Sequence, residues 1–204
     1  MTKVITQPVI DKGMTYRQYR ALIADLLAEG KVTGPNQGEF LTDYTRLNEK
    51  RMNRLDKTIV LSDELKAVAD RITQPWVWLV ITEGWCGDAA QIVPLFNKIA
   101  EYSDMISLRL ILRDENPEVM DAFLTNGGKS IPILVCLEQN MLEVLGKWGP
   151  RPSTAQQMVL DFKENPSGSR EEMVEKLHGW YAKDKTLTSQ AELAETMEQW
   201  LRRG

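Results

Sequence analysis

Histidine and cysteine are scarce in this 204-residue chain: His178 stands alone, and the only thiols are Cys86 and Cys136. Two thiols and one imidazole do not complete a structural zinc site by themselves, and so few cysteines fit a reducing compartment better than a disulfide scaffold. A basic tract is also missing, and the formal net charge is −4, which argues against nucleic acid as the main partner. No apolar run is long enough to cross a bilayer, and Met1 to Pro8 carries no long apolar region of the export type. The cytoplasm, away from membranes, is the expected location. Repeats and low-complexity tracts are absent, and the length allows one domain with additions around a full core.

What is present centres on Trp85-Cys86-Gly87-Asp88-Ala89. Before it runs Trp76-Val77-Trp78-Leu79-Val80-Ile81-Thr82, β-branched and aromatic and too short for a helix, the pattern of a buried strand. After it, Ile92, Leu95, Phe96 and Ile99 give one apolar face to a helix expected from Asp88 to Tyr102. Cys86 is therefore expected at a helix N-terminus, where free N–H groups and the helix dipole favour a thiolate. Burial as a small apolar residue is the competing reading of such a cysteine.

At these residues the chain resembles the thioredoxin superfamily. Trp85, Cys86 and Gly87 match its Trp-Cys-Gly-Pro-Cys motif, Pro94 stands at its helix-proline position, and Ile131-Pro132 ahead of Ile133 to Leu137 resembles its cis-proline element. Leu110 to Pro117 resembles the family's third strand and the turn that follows. The resemblance covers about residues 58–164 and implies an α/β fold, a thioredoxin-like mixed central sheet flanked by helices. A helical extension is expected on each side, at 1–57 and 165–204. Two departures stand out. Ala89 replaces the resolving cysteine, and Val80 stands where the family buries an aspartate. Dithiol chemistry is thereby excluded, and a single thiol needs an external thiol to release its mixed disulfide. Asp88, in place of the family's proline, opposes a thiolate by its charge, so a smaller pKa depression is expected than in a dithiol protein.

The resemblance implies a redox role through Cys86 as nucleophile, with Trp85, Gly87, Asp88, Ile131 and Pro132 as the docking groove for a protein or low-molecular-weight thiol or disulfide. The alternative is a non-catalytic binding module that uses the groove near Trp85 and Pro132. Neither a cofactor nor a metal is expected. Cys136 lies mid-strand, about 13 Å beyond Pro132 by strand rise, too far to bridge to a Cys86 that touches the strand's start. Glu83 and Asp88 flank Cys86 and read as two surface carboxylates of a loop. Trp148 fits a binding rim or simple packing equally well.

The remaining segments read as helices and connectors. Tyr16 to Leu27 and Glu39 to Leu55 show apolar stripes, and the second has a face of Arg46, Lys50, Arg51 and Arg54 that reads as solvated surface. Ser62 suits an N-cap for Asp63 to Ile72, and Thr58 to Leu61 fits an edge strand or a connector. Strands are expected at Met105–Leu112, Ile131–Leu137 and Leu142–Lys147, with a helix capped by Ser153. Two tail helices carry Met173, Leu177 and Trp180, then Leu193, Met197, Trp200 and Leu201. Packing on the rest of the chain is the expected use of these residues, and a dimer interface is the alternative. His178, in the first tail helix without a metal pattern, reads as structural or surface.

Overall fold

Strand β1 (Trp76–Thr82) is buried along its whole length, so every position is apolar or, at Thr82, hydrogen-bonded. It forms the second position of a four-stranded sheet in the computed structural model, which describes residues 4–203. Met1 to Lys3, where the expectation about export falls, lie outside the described residues. The other strands are β2 (Ile106–Leu112), β3 (Ile133–Glu138) and β4 (Val144–Trp148), in the order β2-β1-β3-β4. β1 pairs parallel with β2 and antiparallel with β3, and β4 is antiparallel to β3. This is the expected α/β mixed sheet. Ile81 pairs with Ile133, which brings Pro132 to the end of β1 where the chain turns towards Cys86.

The helices among the described residues are α1 (Gln7–Lys12), α2 (Tyr16–Ala28), α3 (Glu39–Thr58), α4 (Asp63–Ala69), α5 (Gly87–Tyr102), α6 (Pro117–Ala122), α7 (Ser153–Glu164), α8 (Arg170–Asp184) and α9 (Leu187–Leu201). α5 is buried on more than its apolar stripe: Ala89, Ala90, Gln91, Val93 and Pro94 are also enclosed. It packs against α3 as well as contacting the sheet, and a helix covered on two sides is apolar nearly all round.

Several local expectations are corrected. α1 precedes the first helix expected from the sequence, with Pro8 in its first turn. Of the two readings of Thr58 to Leu61 the connector holds from Ile59 on, Thr58 being the last residue of α3. The fourth strand starts at Val144 because the Glu138 carboxylate accepts the N–H groups of Asn140 and Met141, and Leu142 adopts φ 51°. Pro152, not Ser153, is the N-cap of α7. Ser153 instead donates its N–H and its hydroxyl to Glu192 of α9, at 2.7 and 2.6 Å. The exposed edge of β2 is partly covered by Met14, which exchanges two backbone hydrogen bonds with Leu110, both 2.8 Å.

The terminal helices share the core of the sheet. Tyr19, Ile23 and Met52 from the N-terminal side join the same buried cluster as Leu177, Leu193, Met197 and Trp200 from the C-terminal side. Trp148 is buried and meets Phe96 edge-on, ring centroids 5.7 Å apart. Of its two readings, packing holds.

Candidate functional site

Cys86 is the N-cap of α5, with extended backbone (φ −78°, ψ 115°). Its sulfur accepts the N–H of Ala89 at 3.4 Å, and its thiol donates to the Ile131 carbonyl oxygen at 3.3 Å. The Ile131–Pro132 bond is cis, and the strand start and the cysteine meet as the resemblance implied. A second cis bond, Gly149–Pro150, follows β4, and nothing in the sequence pointed to it. Both cysteines are free, with Cys136 fully enclosed in β3 opposite Trp78.

The electrostatics overturn one expectation. Cys86 is only 8% exposed, and burial, with the Asp88 carboxylate next, pushes its thiol up to about 12 rather than down. The N–H groups of the helix start and Arg151 pull the other way, but they do not offset the loss of water. In this arrangement the thiol donates a hydrogen bond to the Ile131 carbonyl, and burial favours its protonated form.

The water is excluded by α8 together with α3. Gly87 lies so close under both helices that an added Cβ would collide with the Tyr44 hydroxyl and approach His178 Nε2 to 2.8 Å. Tyr44 Oη and His178 Nε2 are 2.7 Å apart, and Gln91 Nε2 donates to His178 Nδ1 at 3.1 Å. With Nδ1 accepting, Nε2 carries the ring proton and donates to Tyr44. One turn on, Tyr181 donates to Asp88 Oδ1 at 2.9 Å, while Arg151 Nη2 lies 2.7 Å from Oδ2. Burial pushes the Asp88 carboxyl up, and Arg151 and the Tyr181 hydroxyl draw it back.

Asp88 and Glu83 are therefore not surface carboxylates. Glu83 is fully buried, Oε1 accepting the Asp114 N–H at 3.0 Å, and its carboxyl is pushed up by desolvation. The loop between it and Cys86 is held from the N-terminal side. Thr33 Oγ1 accepts the Gly84 N–H at 2.9 Å, and Asn48 Nδ2 donates to the Gly84 carbonyl at 3.0 Å. Trp85 is half-buried under Arg113, whose guanidinium lies 4.7 Å from the ring centroid. All six expected site residues thus surround one turn. Tyr44, Arg151, His178 and Tyr181 join them from distant parts of the chain without a local motif. Among the described residues no group of His, Cys, Asp and Glu has the arrangement of a metal site, and no helix is long and apolar enough to cross a membrane.

The half-buried imidazole gives a pH dependence. Burial, with Arg51 alongside, lowers the His178 pKa to about 3. A histidine depressed in the folded state stabilises it fully above the unfolded value near 6.5, and that contribution is lost as pH falls through the window below. At pH 5 the loss is about 2 kcal/mol. The raised Asp88 and Glu83 carboxyls act in the opposite sense, gaining folded-state protons as pH falls. The measurement is therefore a difference: urea unfolding of wild type and His178→Gln at pH 7 and pH 5. Wild type should lose about 2 kcal/mol relative to the variant on acidification; an unchanged difference would place the ring in water.

Comparison with known proteins agrees with this architecture. The sequence profile of a family described as Thioredoxin matches residues 34–173. No curated protein matches the chain. Among solved structures, a protein of unknown function from Pseudomonas aeruginosa superposes with a TM-score of 0.59 at 17% identity, covering 93% of this chain and 94% of that one. An HIV epitope-scaffold superposes with a TM-score of 0.53 at 16% identity, over 91% and 98% of the two chains. At such identities the likeness is one of fold.

Proposed function

The chain belongs to the thioredoxin family, and from that premise we propose that it is a single-thiol member resting in a closed state, in which Cys86 performs thiol–disulfide exchange once α8 leaves the groove. The observation that supports this reading is the pairing of an intact thiol-and-proline turn with a cover supplied by side chains of separate helices. Cys86 caps α5 beside Ile131 and cis Pro132, while α8 reaches that turn through His178 and Tyr181.

Opening returns water to the site, and the thiol falls towards its ordinary value near 8.5. The thiolate then attacks a disulfide R–S–S–R′, forming Cys86–S–S–R and releasing R′S⁻. Because Ala89 offers no second sulfur, an external thiolate must attack that mixed disulfide on the R sulfur, displacing Cys86 as thiolate and forming a new disulfide. A reducing compartment such as the cytoplasm supplies that thiol. Trp85, Gly87, Asp88, Ile131 and Pro132 form the docking surface for the protein or small-molecule disulfide.

The test is the alkylation rate of Cys86, followed by peptide mapping to separate it from Cys136, in wild type and Tyr181→Phe. The substitution keeps the ring and removes one hydrogen bond to a buried carboxylate, a type of bond worth about 1.5–3 kcal/mol. Wild type should react slowly at pH 7.5. The variant should react at least roughly tenfold faster and form a mixed disulfide that added thiol reverses. The burial of Cys86 favours the binding-module reading instead. A folded Tyr181→Phe protein whose Cys86 stays as slow as in wild type would give that reading the lead.

A further inference from the structure

A shallow cleft of about 240 Å³ opens between α3 and α8, lined by Lys50, Arg51, Arg54, Gln91, His178 and Ala182. Three of its six lining residues are cations within five residues of one helix, Lys50 and Arg51 side by side and Arg54 about one turn on. On the same helix Arg46 is matched by Asp43, and Arg20 of α2 reaches across to Glu49 and Asp56. Among the described residues no carboxylate lies within ion-pair distance of Lys50, Arg51 or Arg54. Arg51 donates to the neutral Asn48 Oδ1 at 2.8 Å and lies 5.3 Å from the Tyr44 ring centroid. Arg54 has a like charge four residues back at Lys50 and three back at Arg51, pairs that repel on a helix surface, and a bound anion relieves that repulsion. The cleft is smaller than the roughly 300–1,000 Å³ of sites for drug-sized ligands, so its occupant is small.

We infer that this cleft binds a small phosphate-type dianion, free or as the phosphomonoester of a small metabolite, and that the bound anion clamps α8 onto α3. Two arginines and a lysine supply the planar, multiply donating contacts that phosphate oxygens accept best. The neutral His178 edge and Ala182 form the α8 wall, so an anion held by α3 closes the cleft from both sides. Ligand and closed lid then favour each other, and by reciprocity the anion must slow any reaction that needs α8 to leave. The clamp rests on the closed-state reading above; the binding site does not.

The experiment separates the two. The melting temperature of the full chain is followed against inorganic phosphate and, separately, glycerol 3-phosphate, each with sodium chloride at matched ionic strength as control. The expected result is a saturable rise with phosphate, absent with chloride, and an apparent affinity weakened by roughly tenfold or more in Lys50→Glu/Arg54→Glu, the loss of one charged hydrogen bond being enough for that factor. A tighter response to glycerol 3-phosphate assigns the site to phosphomonoesters, and an equal or weaker one assigns it to free phosphate. A phosphate response no larger than chloride's, or identical in the variant, overturns the site. Under saturating phosphate, Cys86 alkylation should slow severalfold in wild type and not in the double variant. Saturable binding with an unchanged alkylation rate overturns the clamp and leaves the anion site standing.

Discussion

Arg151→Met should destabilise the protein by about 3–5 kcal/mol at pH 7, because it leaves the Asp88 charge enclosed with its guanidinium partner gone. Asp88 is 7% exposed, and its ion pair with Arg151 closes at 2.7 Å. The Tyr181 hydroxyl still donates to Oδ1, which does not compensate a full charge out of water. Methionine keeps much of the arginine stem's packing, so the loss reports electrostatics. The pH dependence carries the sign. Without Arg151 the Asp88 carboxyl, already raised by burial, rises further in the folded state. A carboxyl raised above its unfolded value near 3.9 makes the folded state gain stability as it protonates. The deficit should therefore shrink steadily as pH falls towards 4. Asp88→Asn/Arg151→Met should recover most of the loss, since the amide oxygen of the introduced side chain would still accept from Tyr181 and no charge would remain. Urea unfolding of wild type, the two single variants and the double variant gives the coupling directly. A deficit below about 1 kcal/mol for Arg151→Met, flat with pH, would mean that water reaches Asp88.

That ion pair also shows where the sequence ceased to be readable. The strand ahead of Cys86 and the helix after it were legible because each is written in neighbouring residues, a continuous apolar run and a period of 3.6, while the proline opposite was placed by the resemblance to the thioredoxin superfamily. The mixed sheet followed from their order. What surrounds the thiol was not legible. Arg151 lies 63 residues from Asp88 in the chain and Tyr181 lies 93 away, and no local pattern links them. The expectation of an acidic thiol came from the helix N-terminus alone, a short-range signal. The observed thiol is set by burial under α3 and α8, a long-range one, and the long-range effect is larger here. His178 read as structural or surface, and its seat between Tyr44 and Gln91 gave no sign in its own helix. The basic face of α3 read as solvated surface. Arg46 fits that reading, while Lys50, Arg51 and Arg54 border a cleft only because α8 folds back alongside.

Trp200→Ala should cost about 3–5 kcal/mol, the range for removing a buried aromatic side chain, although the residue stands four places from the end of the chain. Trp200 is 2% exposed and meets Trp76 and Trp78 of β1 edge-on, ring centroids 6.1 and 6.3 Å away. Such edge-to-face pairs add to area burial, each by about 0.5–1.5 kcal/mol. Its ring lies directly over Gly146 of β4, where any Cβ would collide with the indole nitrogen. Strand and helix are thus fitted to each other. Arg203 and the Arg71–Glu198 ion pair fasten the same helix at its end, but both are surface contacts and contribute little. The ring is the anchor. Its loss should lower the melting temperature by roughly 10 °C for a chain of this size, in one cooperative transition. Trp200→Phe, which retains an aromatic edge towards β1, should lose about half as much. Two separate transitions, or a midpoint indistinguishable from wild type, would show that α9 folds apart from the sheet. If α9 is instead one unit with β1 and β4, its loosening reaches β1 itself, the strand that carries the Cys86 turn at its end. Cys86 alkylation should then accelerate in Trp200→Ala in proportion to the lost stability, a readout independent of the melting curve.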